Sequence, residues 1–400
     1  MPVETDRLVG LIRDGLPAGE TVGVALSGGG DSTALLHLCR VAGLPVEAVT
    51  VDHRLRPESA AEAAAVGVAC AALGVRHEVR VWEHGPVVRG NLMDAARRAR
   101  RGLIGDWARG RGIGVVALGH TRDDVAEGVL MGLGRAAGLA GLSGMRPAWD
   151  AAGVRFVRPL LGAGREELRH WLRRRGIGWT EDPTNEDDRF TRVKARKALA
   201  ALAPLGITSE RLAVVAGHLA RVQEAMAAQV TEAAGRMVHA TAGALRLEPA
   251  LGSEPVEVKR QIVGAALLWL SGADHAPRAA EVARVIEALA SGGDATLAGC
   301  RARRGWLMRE PRAVGGPVPV GALWDGRWVV SGPAGEVRAL GGEGLRQVGD
   351  WRKSGIPRAV LLVTPGVWRG DTLLAAPLAG VSAEWQAKLD RPFHLFGLVD

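Results

Sequence analysis

Between Val22 and Leu38 the chain reads VGVALSGGGDSTALLHL: an apolar run enters three consecutive glycines and leaves through Asp31, Ser32 and Thr33 into a helical pattern. A buried strand that passes through a tight glycine turn straight into a helix is the opening unit of a parallel α/β sheet. The pattern recurs downstream. VEAVTVD (Val46–Asp52) is β-branched and apolar, and ESAAEAAAVGVACAAL (Glu58–Leu73) has helical composition. Val75–Trp82 alternates as a strand, and Asn91 is placed to cap a helix reaching about Arg109. GVVALGH (Gly114–His120) is a fourth strand before a helix over Asp123–Leu133. Strands alternating with helices predict a doubly wound, Rossmann-like parallel sheet, which binds ligands at the carboxyl ends of its strands. Here those ends read SGGGDS, DHRLRPES and GHTRDD.

A chain of 400 residues is too long for one ordinary core. Three divisions are expected: an α/β domain over 1–205, an Ala-, Leu- and Val-rich helical domain over 206–292, and a small β-containing domain over 293–400. The formal charge of +8 suits a polyanionic partner, although an arginine-rich composition also has a genomic origin. Cys39, Cys70 and Cys300 form no C-x-x-C pair, which argues against a zinc ribbon, a cysteine-ligated cluster or a disulfide framework and fits a reducing cytoplasm. No stretch approaches the ~20 apolar residues of a membrane span, so a membrane location is not expected.

Glycines after a strand let backbone amides approach an anion, and the next helix adds its positive end. The turn lacks the lysine of a Walker loop, and Asp31-Ser32-Thr33 replaces the last glycine of a dinucleotide loop. An acid inside an anion nest is costly without a cation, so Asp31 points to Mg²⁺ on a pyrophosphate. The simpler alternative is a strand-to-helix turn with Asp31 or Ser32 as N-cap.

SGGGDS resembles the S-G-G-x-D-S signature of the ATP pyrophosphatases, the PP-loop superfamily. VDHRLRPESAAEA, NLMDAARRARRGL, LGHTRDDVAEGVLM, RPLLGAGREEL and WTEDPTNEDDRFTRVKARKAL follow in order. Together they resemble the blocks of the tRNA(Ile)-lysidine synthetase family over about the first half of the chain. The resemblance implies ATP-dependent joining of free L-lysine to the wobble cytidine of an isoleucine tRNA with a CAU anticodon. The base carbonyl would be adenylated with release of pyrophosphate, and the lysine amine would then displace AMP.

It also implies site residues. Ser27, Gly28, Gly29, Gly30, Asp31 and Ser32 would hold ATP, with Asp52, His53 and His120 at neighbouring strand ends and Asp31 toward Mg²⁺. Asp124 and Glu127 would hold lysine and accept its proton, their alternative being a solvated acidic helix start. Arg192 and Arg196, with Arg97, Arg100 and Arg135, would meet tRNA or ATP phosphates, and Arg196 is placed in the catalytic set. A solvated basic face balanced by Asp187 and Asp188 is the alternative for the first two. The Gly132–Gly138 stretch keeps only Arg135 and Gly138 of the family's loop, and the chain has no tyrosine for base stacking. Competing readings are a tRNA thiolase, an amide-forming synthetase, or a non-catalytic nucleotide- or tRNA-binding module. The helical and C-terminal domains would grip tRNA, and a homodimer is compatible with the sequence.

Overall fold

The computed structural model describes all residues except 1, 56, 85–91, 182–188, 190, 274, 276, 383 and 394–400, and the side chains of 2 and 3. Asn91, Asp187 and Asp188, singled out above, lie outside the described residues. Two compact units are formed, residues 1–223 and 224–400.

In the first unit, helix α1 (Pro2–Gly15) precedes β1 (Val22–Ala25), α2 (Gly30–Val41), β2 (Val46–Asp52), α3 (Ser59–Ala72) and β3 (Arg76–Val81). Then come α4 (Leu92–Gly110), β4 (Val115–Leu118), α5 (Arg122–Leu133), the short α6 (Leu139–Leu142) and the hairpin β5 (Ala148–Ala151) and β6 (Val154–Val157). Helices α7 (Arg165–Arg173) and α8 (Thr191–Leu202) follow, and α9 (Ser209–Met237) begins in this unit and ends in the second. The sheet order is β3-β2-β1-β4-β6-β5, parallel except for β5. This is the expected doubly wound sheet, and the order reverses between β1 and β4, so the crevice falls beside the glycine turn.

Both faces are covered, which is why the central strands are apolar throughout. Leu8, Ile12, Leu35, Leu38, Trp171 and Leu172 pack on one side, and Ile104, Trp107 and Phe156 on the other. Trp107 lies so close over β1 that a Cβ at Gly23 would sit 2.8 Å from its ring. Among the described residues no single helix is long and apolar enough to cross a membrane.

The second unit corrects the expected boundaries. Strands β7 (Val238–Thr241) and β8 (Ala244–Leu247) form a hairpin inside the stretch expected to be helical. It pairs with β9 (Asp294–Leu297), β10 (Cys300–Arg303) and β11 (Trp306–Arg309) in one antiparallel sheet, β7-β8-β11-β10-β9. The division at 292/293 therefore separates strands of one sheet. Helices α10 (Val256–Ser271) and α11 (Ala279–Ser291) complete its core around Leu245, Ile262, Leu267 and Leu307. The hairpin is only four residues a side and turns through Ala242 and Gly243, both at positive φ, so its period-2 signal is short amid helix-forming composition. Residues 318–389 add two small sheets around Trp324, Trp328, Val337 and Val367, in keeping with the β-rich C-terminal region expected.

Candidate active site

Gly28 carries φ +84°, and a Cβ there would lie 2.8 Å from Val66, so the first bend requires glycine. Gly29, rather than Asp31 or Ser32, is the N-cap of α2, and it offers no side-chain cap. Ser32 instead staples the turn: its hydroxyl donates to the Gly29 carbonyl at 3.0 Å and accepts from the Ser27 amide at 3.2 Å. The Ser27 hydroxyl lies 3.1 Å from the same oxygen. The amides of Gly28 to Ser32 are left without acceptors among the described residues, an anion nest at a helix N-terminus. Gly119, at the end of β4, backs onto this nest; a Cβ there would be 2.9 Å from the backbone of Ser32. Gly119→Ala is expected to shift the first turn of α2 and raise the KM for ATP at least about tenfold, measured by steady-state kinetics.

Thr121 and Asp124 form a capping box that starts α5: the Thr121 amide and hydroxyl donate to Asp124 Oδ2 at 2.8 and 3.0 Å. Asp124 and Glu127, one turn apart, point inward. Glu127 is 1% exposed and Asp124 7%, so a solvated acidic helix start is excluded.

One guanidinium joins them to the glycine turn. Arg165, the first residue of α7, places Nε 3.3 Å from Asp31 Oδ2, Nη2 3.3 Å from Asp124 Oδ1 and Nη1 2.9 Å from Glu127 Oε1. Its own amide donates to Asp123 at 2.7 Å, pinning the start of α7 to that of α5. From α8, Arg196 approaches Glu127 at 3.0 Å and Arg192 approaches Asp124 at 3.7 Å. The i,i+4 arginines thus reach the i,i+3 acids while remaining half-exposed.

Burial pushes the Asp31 carboxyl up to about 6; Arg165 opposes this and Asp124 adds to it. Burial also works against the charge on Asp124, but Arg165, the Thr121 amide and Arg192 outweigh it and hold this carboxyl below its ordinary value. Asp31 Oδ1 and Glu127 Oε2 are buried and have no partner among the described residues. A cation held by Asp31 and phosphate oxygens would satisfy the first, a donor set of the kind Mg²⁺ takes.

Neighbouring strand ends supply other groups. Asp52 Oδ1 accepts from the Arg54 amide at 2.8 Å and the Ser59 hydroxyl at 2.7 Å, so this oxygen shapes its own turn. That turn borders a cavity of about 650 Å³ lined by Asp52, Leu55, Ala60, Val79 and Val81. His53 sits edge-on to Trp82, 5.9 Å between centroids. Arg100 lies close enough to lower the basicity of both His53 and His120, while Arg97 is exposed on the same helix. Arg135 is exposed beyond the C-terminal end of α5. Leu133, the last residue of α5, lies about 9 Å along the helix beyond Glu127, and Arg135 makes no ion pair with either carboxylate among the described residues.

Two residues of the RPLLGAGREEL block, Arg158 and Arg165, had no role assigned from sequence. Arg158 Nε donates to His120 Nδ1 at 3.2 Å. The signal for both was the block itself; what the sequence withheld was that a turn after β6 carries them back to α5.

A PP-loop domain profile matches residues 5–203. The chain is 47% identical over 382 residues to a tRNA(Ile)-lysidine synthase of Ruegeria pomeroyi, covering 92% of this chain and 91% of that protein. It is 36% identical over 346 residues to one of Hyphomonas neptunium, covering 80% and 90%. A third, from Brucella anthropi, is 32% identical over 399 residues, covering 90% and 86%.

Proposed function

The chain belongs to the tRNA(Ile)-lysidine synthase family of PP-loop enzymes, and on that premise we propose a division of labour among its strand-end residues. The protein is a ligase that forms lysidine on isoleucine tRNA at the expense of ATP. The substrates we assign are ATP, free L-lysine and the wobble cytidine of the CAU-anticodon tRNA. The carbonyl oxygen at C2 of the base attacks the α-phosphorus, and the bond from that phosphorus to pyrophosphate breaks. The lysine ε-amine then attacks C2, and AMP leaves with the former carbonyl oxygen.

The unpartnered amides of Gly28 to Ser32 are suited to the phosphates of ATP, and the cavity beside Asp52 to its nucleoside. Mg²⁺, when bound, would be held by Asp31 and phosphate oxygens and would neutralise charge on the departing pyrophosphate. Asp124 stays ionised across the working pH range and holds an ammonium of lysine. Glu127, with one buried free oxygen, accepts the proton that the attacking amine loses. Arg192 pairs with Asp124 and Arg196 with Glu127. Arg97 and the exposed flank of α4 are assigned to tRNA phosphates.

The convergence of Asp31, Asp124 and Glu127 on Arg165 carries this reading, because it brings the phosphate end and the ammonium end of the reaction within one guanidinium's reach. A thiolase would require a sulfur-carrying cysteine, and all three cysteines are buried, two with thiols raised to about 11 and 12 by burial. Glu127→Gln tests the assignment. It is expected to raise the KM for lysine at least about thirtyfold while single-turnover pyrophosphate release from ATP and tRNA persists. Equal loss of both steps would remove Glu127 from the lysine site.

A further inference from the structure

The guanidinium of Arg158 is held on three sides. Nη1 donates to the Arg146 carbonyl at 2.6 Å, its plane lies 4.0 Å over the ring of Trp149, and Trp149 stacks on Phe156 at 5.2 Å. The third side is His120. Arginine nitrogens only donate, so Nδ1 of His120, 3.2 Å from Arg158 Nε, must be the acceptor and carries no proton. A neutral imidazole then has its hydrogen on Nε2, which no described residue engages. The usual expectation for a histidine at a strand end in an active site is a general base. The Arg158 contact gives the opposite polarity.

We propose that His120 serves the adenylation step as a neutral hydrogen-bond donor through Nε2–H, and that Arg158 is the positioning residue that fixes this tautomer. The acceptor is a non-bridging oxygen of the α-phosphoryl group, on which charge builds as pyrophosphate leaves. No proton is transferred. This rests on the assignment of the β4 end to the nucleotide, made above.

The charged groups around His120 fit the role. Arg158 at the end of β6, Arg100 on α4 and Arg192 on α8 disfavour an imidazolium, and Asp124 on α5 favours it. Burial is the largest influence and brings the ring down to about 4, so it stays neutral wherever the enzyme works. Arg158 itself, lowered to about 10 mainly by burial, remains a charged donor at neutral pH. A neutral donor avoids placing a second cation against the arginines already there, and it cannot protonate the attacking amine.

Two experiments test this on the intact enzyme. Long-range ¹H–¹⁵N spectra of histidine-labelled protein, with His120→Gln to assign the signal, should show Nε2 protonated and Nδ1 bare, unchanged from pH 5.5 to 9. A proton on Nδ1, or titration near the ordinary histidine value, overturns the proposal whether or not the protein makes lysidine. In pyrophosphate release, His120→Gln, which keeps an N–H near the Nε2 position, should retain activity within about tenfold of wild type. His120→Ala should lose at least about a hundredfold, the scale of one oxyanion donor. A Gln variant as inactive as Ala overturns the donor role. In Arg158→Met, checked for folding by circular dichroism, the same spectra should show a proton on Nδ1, by tautomer exchange or by protonation at a pH above that of wild type, because the donor that bars it is gone. An Nδ1 that stays bare in this variant would remove Arg158 from the device.

Discussion

Asp31→Asn is expected to reduce pyrophosphate release at least about a thousandfold while making the apoprotein harder to unfold at pH 8. The two effects share a cause. In the folded state burial and Asp124 push the Asp31 carboxyl from its ordinary 3.8 up to about 6, although Arg165 lies 3.3 Å away. A carboxyl raised on folding binds its proton more tightly in the native than in the unfolded state. Wild-type stability therefore falls as pH rises from about 4 to 6, and the penalty is complete above that window. The shift corresponds to about 3 kcal/mol, and loss of one Arg165 contact offsets part of it. A net gain of about 1–2 kcal/mol is expected at pH 8, or several degrees in Tm. The gain should shrink toward pH 5, where the wild-type carboxyl is already protonated. Calorimetry across this range checks the sign, and a lower Tm for Asp31→Asn at pH 8 would contradict it. The acid is retained, on this account, because a metal-bound pyrophosphate needs its charge.

Arg165→Leu should have the larger structural effect. Burial works against this guanidinium, yet Asp124, Glu127 and Asp31 together hold its pKa above the ordinary value. Removing it leaves three carboxylates facing one another in a site where Glu127 is 1% exposed. Breaking a buried pair of this kind costs about 3–5 kcal/mol, so urea unfolding at pH 8 should show a midpoint well below wild type. The deficit should narrow as pH falls, because buried carboxylates that have lost this cation, with only Arg192 and Arg196 left against Asp124 and Glu127, take up protons more readily in the folded state. Lysidine formation should be lost with it. Arg165→Lys restores charge to one contact of three and should recover stability in part, without recovering the geometry. Wild-type stability in Arg165→Leu would mean that the three acids do not depend on this residue.

Much of the first unit was legible because its signals are local. Strand Val115–Leu118 is an uninterrupted apolar run, Val46–Asp52 is rich in β-branched residues, and the SGGGDS turn admits few conformations. Asp124 and Glu127 were legible as an i,i+3 pair on an amphipathic helix. Their burial was not, since it depends on α8, some seventy residues later, and on Arg165 arriving from the turn after β6. A guanidinium shared by three acids from two other elements leaves no trace in local periodicity. The same holds for the second unit. The Val238–Leu247 hairpin is too short to stand out among helix formers, and its partner strand at Trp306–Arg309 lies about sixty residues downstream.

The most direct test of the whole reading is a single reaction containing the enzyme, ATP, labelled L-lysine and the CAU-anticodon isoleucine tRNA. Lysine transfer and pyrophosphate release are followed together, and the modified nucleoside is identified by mass spectrometry. The expected result is label on the wobble cytidine, dependent on ATP, with one pyrophosphate and one AMP released for each lysine joined. Pyrophosphate release without lysine transfer, or no label in tRNA from folded enzyme, would contradict it.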